Sequence, residues 1–225
     1  MNISIKTSFS TEVEWNYGEY GPDVWDEFEK TCRGNYQSPI DIKTACTVYQ
    51  SFPPFHASQA NANAYPMTYT GGGLNGTFQF TSFHIHWGEN YNVGSEHQIN
   101  GLKYAGEIHF VHMNYEINKY DSTTTPPCTE GSSWTVFKTP IYFNNDALES
   151  FRTNLYPEKF RPVQPLDGRM VYRSFPNDTV SPIPDYNCCA QNAGRSSSGV
   201  LSISLVDKQL LSFSWLFTFY ILLRD

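Results

Sequence analysis

Histidine occupies alternate positions in Phe83-His84-Ile85-His86-Trp87-Gly88, and further along Glu107-Ile108-His109-Phe110-Val111-His112 sets a carboxylate two residues before another histidine. The residues between them are mainly Ile, Phe, Val and Trp, types that favour strands. Side chains on a strand alternate between its faces, so His84 and His86 share one face, as do Glu107 and His109. Two such strands side by side would bring three imidazoles and a carboxylate to one point. Three neutral imidazoles with a fourth position open form the ligand set of a catalytic zinc. A carboxylate accepting the free N–H of a ligand ring is the usual support behind it. The plain alternative is that these are half-buried strand histidines, and the two runs alone do not separate the readings.

The chain has 225 residues, enough for one sizeable domain, and 40% of them are hydrophobic. Charged residues make up only 16% and the net charge is −7, which excludes a nucleic-acid surface built on a basic patch. No repeat at solenoid periods is visible. Gly 15 and Pro 14, among many short alternating apolar runs, predict a β-rich chain with many turns. Leu74-Asn75-Gly76-Thr77-Phe78 reads as a hairpin turn followed by a strand. The segment Asp146 to Asn154 is the best helix, with Leu148, Phe151 and Leu155 near helical spacing.

The two ends differ. Met1 to Ser10 contain no apolar core of a signal peptide. Near the C-terminus, Asn192-Ala193-Gly194-Arg195-Ser196-Ser197-Ser198-Gly199 is small and polar, and Leu210 to Leu223 is strongly apolar. That run is shorter than the roughly 20 residues of a spanning helix. Small residues, a spacer and a short apolar tail fit a signal for a glycosylphosphatidylinositol (GPI) anchor. A buried C-terminal strand or an artefact of gene prediction is the alternative. Asn2-Ile3-Ser4, Asn75-Gly76-Thr77 and Asn177-Asp178-Thr179 match the glycosylation acceptor pattern.

A larger set of residues carries a family resemblance. It comprises Trp15-Asn16-Tyr17-Gly18, Gly21-Pro22, Gln37-Ser38-Pro39-Ile40-Asp41-Ile42, Phe83 to Gly88, Gly94-Ser95-Glu96-His97 and Glu107 to Asn114. It continues with Thr124-Thr125-Pro126-Pro127-Cys128, Trp134-Thr135-Val136 and Phe160-Arg161-Pro162-Val163-Gln164-Pro165-Leu166. In these blocks and in their order, the chain resembles the extracellular α-class carbonic anhydrases.

The resemblance implies an α+β, β-dominated single domain on a large central mixed, mostly antiparallel sheet with short peripheral helices. The domain would span 15–176, after an N-terminal extension over 1–14 and before a tail over 177–225 that carries the anchor signal. It also implies zinc held by His84, His86 and His109, and reversible hydration of carbon dioxide to bicarbonate and a proton by attack of zinc-bound hydroxide. Thr124 and Glu96 would orient the hydroxide, and Glu107 would accept from the ring of His109. Thr125 would touch bicarbonate, while Val111 and Trp134 would wall an apolar carbon dioxide pocket. Thr123 and Ser132 stand where the family usually has leucine and valine, and Ser82 where it has a glutamine that supports the first ligand. His97 and His112 match histidines that are not ligands, and His56 is expected to be exposed. Cys32 and Cys128 match a disulfide of extracellular members, placing the protein outside the cell or at its surface; Cys46, Cys188 and Cys189 receive no assignment.

Two family segments are missing. Between Pro39 and Gly71 the chain lacks the Asn-Asn-Gly-His segment, whose histidine usually shuttles protons. Between Asn114 and Ser122 it lacks a longer piece that includes a central strand lining the pocket. A catalytically impaired binding or surface protein of the same family, and a non-folding product of an exon-skipped transcript, are therefore open alternatives at the level of sequence.

Overall fold

The structure is a computed structural model that describes residues 14–54, 56–58, 68–114, 123–176, 203–206 and 221–224. The strands are β1 (Asp41–Ile42), β2 (Val48–Tyr49), β3 (His56–Ser58), β4 (Thr68–Gly71), β5 (Leu74–Trp87), β6 (Gln98–Ile99), β7 (Gly106–Met113), β8 (Thr135–Phe137), β9 (Ile141–Tyr142), β10 (Val171–Arg173), β11 (Ile203–Val206) and β12 (Ile221–Arg224). The helices are α1 (Trp25–Phe28) and α2 (Asn145–Asn154), with 3-10 turns at Lys30–Arg33 and Thr44–Cys46. This is the expected β-dominated fold, and α2 falls where helical spacing predicts it. Its start is fixed by Asn144, whose side chain accepts from the amide of Asp146 at 2.9 Å.

A six-stranded sheet runs β3-β4-β5-β7-β12-β9. Every pairing in it is antiparallel except β12 with β9. A four-stranded parallel sheet runs β2-β10-β11-β8, and β1 pairs with β6. The hairpin between β4 and β5 turns at Gly72 and Gly73, with Gly71 opposite Leu74, and Asn75-Gly76 lies inside β5. The turn is therefore earlier than the Leu74–Phe78 segment suggests. Gly71, Gly72 and Gly73 all have positive φ (99°, 62° and 82°), a conformation glycine adopts without penalty, and this run takes the turn.

In the β5–β7 pair His84 faces His109 and His86 faces Glu107. Directly opposite residues of an antiparallel pair share a face. The register shifts between Phe80 and Ser82, leaving Thr81 as the extra residue of a bulge. Beyond the bulge Phe80 faces His112, so Phe80 lies on the face opposite to His84.

That opposite face is apolar. Trp87, Ala105 and Leu148 form its buried cluster, with Ile85, Ile108, Ile141, Phe143 and Phe151 packed against it. Trp87 stacks on Phe151 of α2 at 5.1 Å. A second cluster, Ile40, Ile42, Trp134, Val136, Val171 and Phe175, joins β1, β8 and β10. Cys32 and Cys128 form a disulfide, as the resemblance implies, beside buried Trp25. Cys46 is also disulfide-bonded. Cys188 and Cys189, the acceptor sites at Asn2 and Asn177, and most of the apolar tail lie outside the described residues; Asn75 is exposed. No helix among the described residues is long and apolar enough to cross a membrane.

Candidate metal centre

His84, His86 and His109 come together as the strand alternation predicts, each offering a ring nitrogen within 4.8 Å of the others. His109 Nδ1 and His84 Nε2 are 3.1 Å apart. Two nitrogens on a tetrahedral zinc with bonds of 2.0–2.1 Å would be about 3.3 Å apart, so this spacing needs little adjustment. His86 uses Nδ1 toward the Lys159 carbonyl at 3.1 Å, and that nitrogen also lies 3.2 Å from Glu96 Oε1. Its other nitrogen, Nε2, is buried and has no hydrogen-bond partner. A buried, unpartnered ring nitrogen beside two converging ones is what a metal would satisfy, and the donor set fits zinc.

All three rings are held neutral, the form that binds a metal. Burial, helped by the His109 ring, pushes His84 down to about 3. Burial drives His86 well below its ordinary value, and it outweighs the upward pull of the Glu107 hydrogen bond on His109.

Glu107 sets the orientation of His109. The carboxylate is fully buried. Its Oε1 lies 2.9 Å from His109 Nε2 and 2.7 Å from His97 Nδ1, and its Oε2 accepts from the amides of Glu96 at 2.8 Å and His97 at 2.7 Å. Burial pushes the group up, but the His97 ring and the hydrogen bonds from His109 and His97 override it and hold the carboxyl well below its usual range. An ionised carboxylate only accepts, so the N–H of His109 sits on Nε2 and the lone pair on Nδ1, toward His84. His97, Glu107 and His109 also meet metal-grouping geometry, but the four acceptor sites of the carboxylate are already engaged. That group is the support behind the first triad.

Glu96 is fully buried and accepts from the Arg161 amide at 2.8 Å. Burial and then the Glu107 charge push it up to about 8, against the lowering influence of Thr124 and Arg161. The Thr124 hydroxyl lies close enough to favour the ionised form without closing a well-formed hydrogen bond: Thr124 Oγ1 and Glu96 Oε2 are both buried without a partner. The orienting role implied by the resemblance needs an ionised Glu96, and a nearby cation would lower its pKa to supply one. Gly94 brings the Glu96 loop in tightly, since a Cβ there would lie 1.9 Å from the Ala105 carbonyl oxygen.

Val111 follows His109 by two residues on the same face of β7. Trp134 is buried, its ring 5.4 Å from that of His109 and 4.9 Å from that of His97. Thr125 is half-buried, and its carbonyl accepts from the Cys128 amide at 2.8 Å. Ser82 is exposed, His112 is buried against Phe80 on the far face, and His56 is exposed on β3.

Three partners were not legible as site residues. The Lys159 carbonyl reaches His86 as a backbone group, which no side-chain pattern signals. His97 supports Glu107 directly. Arg161 ties the site to the N-terminal blocks, donating to Gln37 Oε1 and the Ser38 carbonyl at 2.9 Å each and to the Cys32 carbonyl at 3.1 Å.

Comparison with known proteins accords with this geometry. The family profile described as eukaryotic-type carbonic anhydrase matches residues 20–123 and 119–175, two pieces that meet where the second missing segment was located. Carbonic anhydrase 3 of Bos taurus is 27% identical over an alignment of 257 residues, covering 72% of this chain and 98% of the relative. Carbonic anhydrase 7 of Homo sapiens is 25% identical over 258, covering 72% and 97%. Carbonic anhydrase 1 of Mus musculus is 36% identical over 132, half of each chain. With the profile matching well over half its length, the chain belongs to the eukaryotic-type carbonic anhydrase family.

Proposed function

We propose that this protein is a zinc-dependent carbonic anhydrase that interconverts carbon dioxide and bicarbonate, with His84, His86 and His109 as the metal ligands. The observation that carries the reading is the convergence of three neutral ring nitrogens, two with their opposite nitrogens already engaged. In this family zinc held by three imidazoles is known to lower the pKa of coordinated water from 15.7 to about 7, which supplies hydroxide at neutral pH.

The chain's own residues do the rest. Glu107 fixes the tautomer of His109, and the Lys159 carbonyl takes the N–H of His86. Thr124 both donates and accepts, so its hydroxyl can take a proton from the attacking oxygen and give its own to Glu96 once that group is ionised. Val111 and Trp134 supply apolar wall for an uncharged substrate, and Thr125 lies beside Thr124 to meet the bicarbonate product. The Cys32–Cys128 bridge supports an oxidising compartment, outside the cell or at its surface.

The test uses the purified full chain. One zinc per chain is expected, and carbon dioxide hydration should fall with chelation and return with zinc. His86→Ala should abolish stoichiometric zinc. Unchanged metal content in a folded His86→Ala variant would show that the ligand set is wrong.

A further inference from the structure

We infer that the C-terminal tail is a positioning element of the metal site, with β12 acting as the strand that holds the Glu107 backbone in place. The inference rests on the zinc reading above. Backbone pairing carries it: Ile221, Leu222 and Leu223 lie opposite Ile108, Glu107 and Gly106 of β7, antiparallel. On its other edge β12 pairs in parallel with β9, Leu223 opposite Ile141 and Arg224 opposite Tyr142. Among the described residues, β12 is thus the strand between β7 and β9. Glu107 is flanked by His86 of β5 on one side and by Leu222 of β12 on the other.

The same tail fills the second sheet. There β11 stands between β10 and β8, pairing with both in parallel. Both strands lie beyond residue 175, where the family match ends. The relatives align over almost their whole length with only 72% of this chain, so they carry residues that this chain lacks. The tail therefore supplies sheet positions from outside the matched region.

The consequence for the site follows from the saturated carboxylate. Glu107 makes four bonds at once, and they close only if its backbone stays in register with His86. Without β12 the Gly106–Ile108 edge would lose its ladder and open to water, which would compete for the donors that the Glu107 carboxylate gathers. Loss of the β12 ladder is thus expected to act on metal affinity through His109.

Hydrogen exchange on the unmodified full chain is the first test. Amides of Ile221–Arg224 and of Gly106–His109 should be protected and should open together. Unprotected exchange at Ile221–Arg224 with protection kept at Gly106–His109 overturns the inference. The second test is Leu222→Pro, which removes a ladder donor. Chelator competition should show zinc held about 10- to 100-fold more weakly, the range for losing support behind a ligand, and Leu222→Val should match the parent. Nitrogen NMR of the metal-free variant should show His109 losing its preference for N–H on Nε2. Parental zinc affinity and tautomer in folded Leu222→Pro overturn the inference while leaving the zinc reading intact. A parent chain that binds no zinc refutes the zinc reading, and the exchange result still judges the strand. Folded protein isolated without Ile221–Arg224 that holds zinc with the parental affinity also overturns the inference. If Leu222→Pro does not fold, the exchange experiment decides alone.

Discussion

Replacing Glu107 with glutamine tests the supporting network more sharply than truncating it, because the shape is kept and only the acceptor inventory changes. The carboxylate serves four donors, two peptide amides through Oε2 and two ring nitrogens through Oε1. A glutamine has one acceptor oxygen and turns two N–H groups toward whatever lies on its other side. The peptide amides of Glu96 and His97 cannot retreat, so the oxygen is expected to turn to them. The amide N–H groups then meet His97 Nδ1 and His109 Nε2. His109 relieves the clash by moving its own N–H to Nδ1, the atom 3.1 Å from His84 Nε2. Zinc can bind only after that proton moves back or leaves. The expected loss is about 10- to 100-fold in zinc affinity, or about 1.4–2.8 kcal/mol. Competition against a chelator of known affinity, on protein matched to the parent by circular dichroism, measures it. A folded Glu107→Gln variant that holds zinc as tightly as the parent would refute the tautomer argument.

Thr124→Ala should lower carbon dioxide hydration by about 100-fold, as for removal of a positioned transition-state partner, with zinc occupancy near parental; loss of zinc with unchanged activity per bound metal would count against the role. Turnover should rise with imidazole buffer concentration at fixed pH and ionic strength, because the shuttle segment is missing and neither His97 nor His112 can replace it: both are buried. A high rate that stays flat would reveal an internal relay, and the exposed His56 is the first residue to replace. Burial holds His112 at about 4, below its ordinary 6.5. The unfolded chain therefore takes up this proton first, so stability is fully present above pH 6.5 and declines as pH falls toward 4. Urea midpoints across that window should be less pH-dependent in His112→Gln, and an unchanged slope would remove His112 from the account.

The convergence of the three histidines was readable because period-2 alternation is a local rule: His84, His86 and Glu107-x-His109 declare their faces without help from the rest of the chain. The helix at Asn145–Asn154 was readable for the same reason at period 3.6. The hairpin turn was misplaced by a few residues because Asn75-Gly76 is a strong turn pair, yet the Gly71–Gly73 run just ahead of it takes the positive-φ positions. The Lys159 carbonyl and the Arg161 amide were hidden because peptide groups carry no residue identity. The tail divided the readings most. Leu210 to Leu223 has the composition of an anchor signal, and a buried strand has much the same composition. The pairing of Ile221–Arg224 with β7 and β9 was hidden because register is a property of the partner strands.

The bulge at Thr81 divides the long β5 strand into two stretches. Ser82 to Trp87 is paired with β7 and buried at His86 and Trp87, whereas Leu74 to Phe80 runs along β4, with Gln79 and Phe80 also opposite Met113 and His112 of β7. Deleting Thr81 would remove the bulge and leave Phe80 opposite His112 on the apolar face, with Ser82 still opposite Val111, so neither side of the bulge would change its register. Insertions and deletions in the distal hairpin can therefore accumulate without shifting the histidines by a single position. The outline of that arm can therefore change in descendants of this sequence while the strand pair that carries the three histidines remains the same.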